Sequence, residues 1–298
     1  MTVTHKEISA EERANSLRSR RIRSSGLLWH YTTIDVLEHF LKGEIAFTHY
    51  KFMNDSQELS YGQDLLVRMS KEEDNEVLKG TFINNPFFYN NKSNTLNFNM
   101  PILGDTYLFC FSTEGDSLYQ WRSYTPNGGV AIAFDCRELY AAVIDGMEKV
   151  SSVIKECGYF GLLKCRYTDD VTRRFILRLI KRSEESKKKE RGCCGGCGIL
   201  GLYYASIIRT LLTQKNPSFH AEKEERLILQ GDFHKNIAVI GGKPRIVIKD
   251  AGVSYSIKAI RLSPHGDTER NQLLVEILRD KYGLDFSIER SLSSYNGK

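Results

Sequence analysis

The side chains best suited to chemistry are two glutamates, an arginine, a histidine and several aromatics. They are spread over six short segments: LLWHYTTIDVLEHFLKGE, FMNDSQEL, LFCFSTEGDS, QWRSY, GGVAIAF and HAEKEERLIL. In the last segment Glu222-Lys223-Glu224-Glu225-Arg226 opens an apolar run. Strand alternation puts Glu222, Glu224 and Arg226 on one face, with Lys223, Glu225 and Leu227 on the other. Two carboxylates and a guanidinium are costly to bury there without compensation, although an exposed strand end with an ordinary ion pair is the plain alternative. His30 lies mid-strand beside Trp29 and Tyr31, a setting in which a histidine is as readily structural as functional. Trp121 and Tyr124 come soon after another strand end, where a flat ring either walls a ligand pocket or simply packs. Ser112, at that strand end, is placed to bond a ligand amide or to cap a turn. A histidine, a stacking aromatic and a carboxylate on separate strands suit reactions at a glycosidic carbon. Positive charge develops there as the bond breaks, and a fixed carboxylate stabilises it.

Other chemistries fit the spacing less well. A metal nuclease of the common kind needs an acid, one spacer and a lysine on one strand face; the order Glu222-Lys223-Glu224 puts the lysine on the wrong side. The chain has no GxxxxGK[ST] loop, no GxGxxG turn, no GxSxG elbow and no HExxH. Cys193, Cys194 and Cys197 in GCCGGCG offer three sulfurs, without a second CxxC or HxxxH to complete a tetrahedral site by spacing. Distant Cys157 or Cys165 is a conceivable fourth ligand, but a glycine loop with incidental thiols is the simpler reading.

These residues need elements to hold them. The first is a strand that puts Leu28, His30 and Thr32 on one face, and Leu27, Trp29 and Tyr31 on the other. Thr33 then caps a helix, with Asp35 in its first turn and Ile34, Val36, Leu37, Phe40 and Leu41 as its apolar stripe. Gly43 stops that helix, and EIAFTH is a second strand. Residues 57–80 read as a charged helix, and the asparagine-rich FINNPFFYNNKSNTLNFN as loop. TYLFCFS is a buried strand, DSLYQWRSY a short helix or turn, and PNGG a turn leading into the strand VAIAF. A helix follows from REL to MEKV. Two more, near 169–190 and 199–215, form a helical hairpin about the cysteine loop. EERLILQG, RIVIKD and SIKAIRL are strands, GDTERNQLLVEILRDKYG is a helix, and FSIERS closes the chain. This organisation is a polar segment over residues 1–25, helical or loose, then a single domain over 26–298 with a helical insertion at about 169–215.

Length and composition bound the class. A chain of 298 residues, 41% hydrophobic and 27% charged, is ordinary for a globular protein and buries one large core or two modest ones. No apolar run is long enough to cross a bilayer, and no apolar stretch follows the charges at the N-terminus. The expectation is therefore cytoplasmic, with no membrane partner and the seven cysteines reduced. The net charge of +5 is concentrated in two basic stretches. One holds Arg13, Arg18, Arg20, Arg21 and Arg23; the other runs from Arg173 to Arg191 through Lys187, Lys188 and Lys189. Such stretches meet nucleic-acid phosphates or anionic membrane, or are solvated helix faces and a frayed terminus; the last is the commoner case.

Taken in order from about Leu27, the segments resemble an uncharacterised, mainly bacterial family marked by HYT, an ND turn with a nearby Glu, CFS, W with Y three residues on, a glycine-led strand, and EKE followed by R. In this chain they are His30-Tyr31-Thr32, Asn54-Asp55 with Glu58, Cys110-Phe111-Ser112, Trp121 and Tyr124, Gly129, and Glu222-Lys223-Glu224 with Arg226. At one remove the layout is similar to the ADP-ribosyltransferase superfold, in its histidine–tyrosine–glutamate branch. HYTTIDVLEHFLKGEI resembles the first strand and helix of DNA-targeting ADP-ribosyltransferase toxins and of RNA 2′-phosphotransferases. The family tyrosine falls on or near Trp121, whose indole stacks but carries no hydroxyl.

The resemblance implies an α+β fold with a split mixed/antiparallel β core flanked by helices, and NAD as substrate. It makes Glu224 the first choice of catalytic carboxylate and Glu222 the second, assisting the acceptor nucleophile. His30, with Tyr31 and Thr32 beside it, would orient the adenosine ribose. Trp121 or Tyr124 would stack on nicotinamide, and Arg226 or Ser112 would place phosphate or amide. The expected function is an NAD-dependent ADP-ribosyltransferase modifying a macromolecule, nucleic acid or protein, in a toxin or antiviral defence role. NAD hydrolysis is its close variant. A non-catalytic nucleotide- or nucleic-acid-binding module of the same fold is the alternative, and a metal nuclease stands third.

Overall fold

A computed structural model describes residues 9–20, 22, 24–53, 58–72, 89–90, 95–96, 105–189, 206–207 and 209–294. The strands in chain order are β1 (Leu27–Thr32), β2 (Ile45–His49), β3 (Tyr89–Asn90), β4 (Thr95–Leu96), β5 (Asp105–Ser112), β6 (Val130–Asp135), β7 (Cys157–Lys164), β8 (Glu224–Gly231), β9 (Ile237–Ile240), β10 (Lys243–Ile248), β11 (Ile257–Leu262) and β12 (Ser287–Arg290). The helices are α1 (Ala10–Arg18), α2 (Ile34–Leu41), α3 (Glu58–Glu72), α4 (Leu118–Tyr124), α5 (Cys136–Lys149), α6 (Ser151–Glu156), α7 (Asp169–Lys189) and α8 (Thr268–Tyr282). The residues fall into two compact units. The first takes in Met1–Phe52, Thr106–Lys164 and Ala221–Lys298, and the second Met53–Asp105 and Cys165–His220. No described helix is long and apolar enough to cross a membrane.

The first unit is α+β and is built on a mixed, mostly antiparallel sheet in the order β12-β11-β6-β1-β5-β2-β10-β9, with β8 also on β5 and β7 on β8. β11 and β12 pair parallel. The period-2 pattern of LLWHYT decides what each face of β1 meets. Leu28 enters the main core, while Trp29 and Tyr31 join a smaller cluster with Trp121, Ala131, Ala133 and Ala259. The main core is closed by helices. α2 buries Leu37, Phe40 and Leu41, and α5 buries Leu139, Tyr140, Val143, Ile144 and Met147. Gly43, at φ +83, ends α2 in the left-handed conformation that costs a glycine little.

The sheet divides at β5. Ser112 pairs with Trp29 of β1, and Leu108 with Thr48 of β2, so both neighbours use the same edge of β5 at different heights. Cys110 lies between these pairs, where the ladder is interrupted. β8 runs along the opposite edge, antiparallel to β5. The Thr113 amide donates to the Lys223 carbonyl at one end (3.0 Å), and Gln230 Nε2 donates to Thr106 Oγ1 at the other (3.0 Å).

Several sequence expectations change here. Thr33 is the N-cap residue of α2, but its hydroxyl makes no capping bond. α1 carries a full capping box between Ser9 and Glu12, legible as the Ser-x-x-Glu pattern. α6, β7 and β9 were not expected. β7 contains Gly158 and Gly161, which dilute its strand signal, yet it pairs with β8 along nearly its whole length. β3 and β4 form a two-stranded ladder inside the segment read as loop.

In the second unit, α3 and α7 are joined by an ion pair from Arg68 to Asp169 (2.9 Å) and by the Tyr61 hydroxyl donating to Asp169 (3.0 Å). Residues 206–207 and 209–211 are helical, and Ile207 and Leu211 are buried.

Candidate functional site

The strand that carries Glu224 begins where EERLILQG predicts, so the alternation expected from Glu222 onward does not extend ahead of it. Glu222 ends a 3₁₀ turn, Pro217–Glu222, and Lys223 takes a left-handed conformation (φ 44) before β8 begins at Glu224. The kink breaks the alternation, so Glu222 does not share a strand face with Glu224. Its backbone carbonyl accepts from Ser112 Oγ (2.7 Å) and from Gln120 Nε2 (3.1 Å). Ser112 Oγ also accepts from the Glu114 amide (3.1 Å), so the β5–α4 loop, the end of β5 and the entry to β8 are laced together. Lys223 pairs with Glu114 across this junction (2.6 Å).

Glu224 and Arg226 are both buried and form a two-point ion pair. Nε reaches Oε1 at 2.7 Å and Nη2 reaches Oε2 at 3.1 Å. Each charge satisfies the other, which removes much of the cost of burying either. Glu225 points the other way, towards the main core, where it accepts from the Ser24 hydroxyl and lies 3.3 Å from Lys164 Nζ. Leu227 and Leu229 follow it into that core, so Glu224 and Arg226 occupy the opposite face, the one carrying Trp29 and Tyr31.

His30 occupies the interruption along β5. Its Nδ1–H donates to the Cys110 carbonyl (2.9 Å), which lies between the β1 and β2 pairings. The ring packs against Phe40, Phe109 and Phe111 on the main-core side of the sheet. Burial lowers its pKa from 6.5 to about 4, the Cys110 bond opposes that, and the nearby Arg245 charge adds to it. His30 is therefore a neutral imidazole at physiological pH. Thr32 is buried on the same face of β1, opposite Val130.

Tyr31 and Trp121 anchor the other face. The Tyr31 hydroxyl donates to the Glu114 carbonyl (2.8 Å) and accepts from the Ser117 amide (3.0 Å); burial pushes its pKa well up, so it stays protonated. Trp121 has no exposed surface. It meets Tyr31 edge-on at 4.7 Å between centroids, and its Nε1–H donates to Asp116 (2.7 Å). Of the two rings expected to stack on nicotinamide, Trp121 or Tyr124, Trp121 presents no exposed face. Tyr124, at the end of the same helix, is exposed. Asp116 also holds the segment after β12, accepting from Ser291 Oγ (2.5 Å) and the Leu292 amide (2.7 Å). Burial alone would raise its carboxyl, but these donors outweigh burial and hold it below the usual carboxylate range.

The structure thus gathers Ser112, Glu222, Tyr31 and Trp121 around one loop, adjoining the Glu224–Arg226 pair. His30 and Thr32 stand across β5 from that pair and face the core. Sequence reading did not single out Gln120, Glu114 or Asp116, and only the polar run STEGDS hinted at them. Asn54 and Asp55, the Glu58 side chain, and Cys193, Cys194 and Cys197 lie outside the described residues. Among the described residues, no group of three or more His, Cys, Asp or Glu is placed to hold a metal ion. Arg18 pairs with Asp145 and Glu148, and Arg20 lies over the Tyr159 ring, so two of the N-terminal basic residues are engaged within the chain.

Residues 120–227 match the model of a family described as a protein of unknown function (DUF2971). That stretch covers Trp121, Tyr124, Glu222, Glu224 and Arg226, and leaves out His30 and Ser112. No curated protein and no solved structure matches the chain.

Proposed function

We propose that this chain is an NAD-dependent ADP-ribosyltransferase modifying a macromolecule, nucleic acid or protein. The observation that carries the reading is the interrupted ladder along one edge of β5, with His30 in the gap and Glu224 on the strand at the opposite edge. The interruption brings an imidazole to the β5 edge, where His30 bonds the Cys110 carbonyl. In the reaction, the nicotinamide–ribose bond breaks with its electron pair leaving on nicotinamide. The acceptor nucleophile then bonds to C1 of the ribose and gives up its proton.

Glu224 suits the cationic transition state. Arg226 holds both of its oxygens, so the orientation of the charge that would face C1 of the ribose is fixed in advance. Loss of such a group typically costs about a hundredfold to a thousandfold in rate. Glu222 is the second candidate, for assisting the acceptor. The toxin or defence role rests on the resemblance alone.

The burial of Trp121 and the core-facing ring of His30 favour a second reading, a nucleotide- or nucleic-acid-binding module of the same fold without turnover. Labelled NAD incubated with cell extract separates the readings, comparing wild type with Glu224→Gln. Label in a protein, RNA or DNA fraction that depends on Glu224 supports the transferase and identifies the acceptor class. Nicotinamide release without label indicates hydrolysis. Binding of NAD with neither outcome sinks the catalytic reading.

A further inference from the structure

Arg245 is the charged side chain that the fold leaves without a counterpart. It lies on β10 opposite Thr48 of β2, whose own partner on β5 is Leu108. Its neighbours Ile246 and Ile248 are in the main core, so Arg245 is on the opposite face, the one shared by Glu224 and Arg226. The side chain is half-buried, and Nε is fully buried without a hydrogen-bond partner. Among the described residues it forms no ion pair and no side-chain hydrogen bond, and the same holds for the Thr48 hydroxyl. A buried Nε–H without an acceptor is costly even where the rest of the guanidinium is half-buried. The Arg245 charge is also felt at His30 in the interrupted ladder.

We propose that Arg245, with the Thr48 hydroxyl beside it, binds a phosphate group of the ligand. The guanidinium fork matches phosphate geometry with paired donors, and a half-buried setting strengthens the attraction. The position deepens the ADP-ribosyltransferase reading and rests on it for the identity of the ligand: Arg245 would hold the pyrophosphate on the face where Glu224 meets the ribose. The anion site itself does not depend on that reading.

The test is calorimetric binding of inorganic pyrophosphate, NAD and adenosine to wild type, Arg245→Gln and Arg245→Lys. A charge-assisted contact of this kind is worth about tenfold to a hundredfold in affinity. Arg245→Gln should weaken pyrophosphate and NAD by that factor and leave adenosine unchanged, with partial recovery in Arg245→Lys. The ligand-free variant should melt no lower than wild type, because the lost charge had no partner; an arginine with a purely structural role would show the reverse. Unchanged pyrophosphate affinity in Arg245→Gln, or no binding of pyrophosphate to wild type, overturns the proposal. Arg245-dependent pyrophosphate binding without NAD cleavage keeps the anion site and removes the transferase reading. NAD cleavage with the same KM in wild type and Arg245→Gln does the opposite.

Discussion

Acidification should destabilise this protein through His30 before most carboxylates titrate. The folded imidazole has a pKa of about 4 against 6.5 for an unperturbed imidazole, because its ring is desolvated against Phe40, Phe109 and Phe111. The folded state therefore keeps His30 neutral while the unfolded chain protonates it, so unfolding takes up a proton between those values. Stability from this source is present in full above pH 6.5 and lost as pH falls towards 4. The whole shift corresponds to about 3 kcal/mol, of which about 2 kcal/mol is gone by roughly pH 5. The perturbation is His30→Phe, which suits the aromatic surroundings but leaves the Cys110 carbonyl without its donor, at about 1–3 kcal/mol. His30→Gln keeps an N–H donor and likewise removes the titration. Denaturant unfolding of the three proteins at pH 7.5, 6.5, 5.5 and 5.0 isolates the effect, since other groups titrate alike in all of them. Both variants should be less stable than wild type at pH 7.5 and should lose less stability on acidification. Parallel curves for wild type and both variants would refute the assignment of His30 as a buried neutral group.

Further outcomes follow from the loop between β5 and α4. A β-carbon at Gly115 would overlap the indole of Trp29, so Gly115→Ala should cost about 1–3 kcal/mol. Combining it with Trp29→Leu should cost less than the two single changes summed, and additive costs in a double-mutant cycle would count against the contact. Asp116→Asn weakens the hold on Trp121, Ser291 and Leu292 and should lower stability by about 1–3 kcal/mol. Digestion with a carboxypeptidase should then proceed past Leu292 faster than in wild type; equal rates would show that Asp116 does not hold this segment.

Much of the fold was legible because it is written locally. The alternation in LLWHYT separates Leu28 from Trp29 and Tyr31, the stripe in IDVLEHFL faces the core, and Gly43 stops that helix. The site was legible by residue type more than by arrangement. Glu224 and Arg226 share a face as their spacing requires. Glu222 escapes that spacing because Lys223 turns into the left-handed region, a choice that no period predicts.

What the sequence determined by itself is periodicity, capping and the set of residues able to do chemistry, since each depends on neighbours a few positions apart. Only the tertiary structure decided that Trp121 is enclosed by Tyr31, Ala131, Ala133 and Ala259, and that His30 completes the edge of β5 through Cys110. It alone left Arg245 on the Glu224 face without a counter-charge. Those outcomes join residues up to about two hundred positions apart, and closing such loops is repaid only by the packing of the whole sheet.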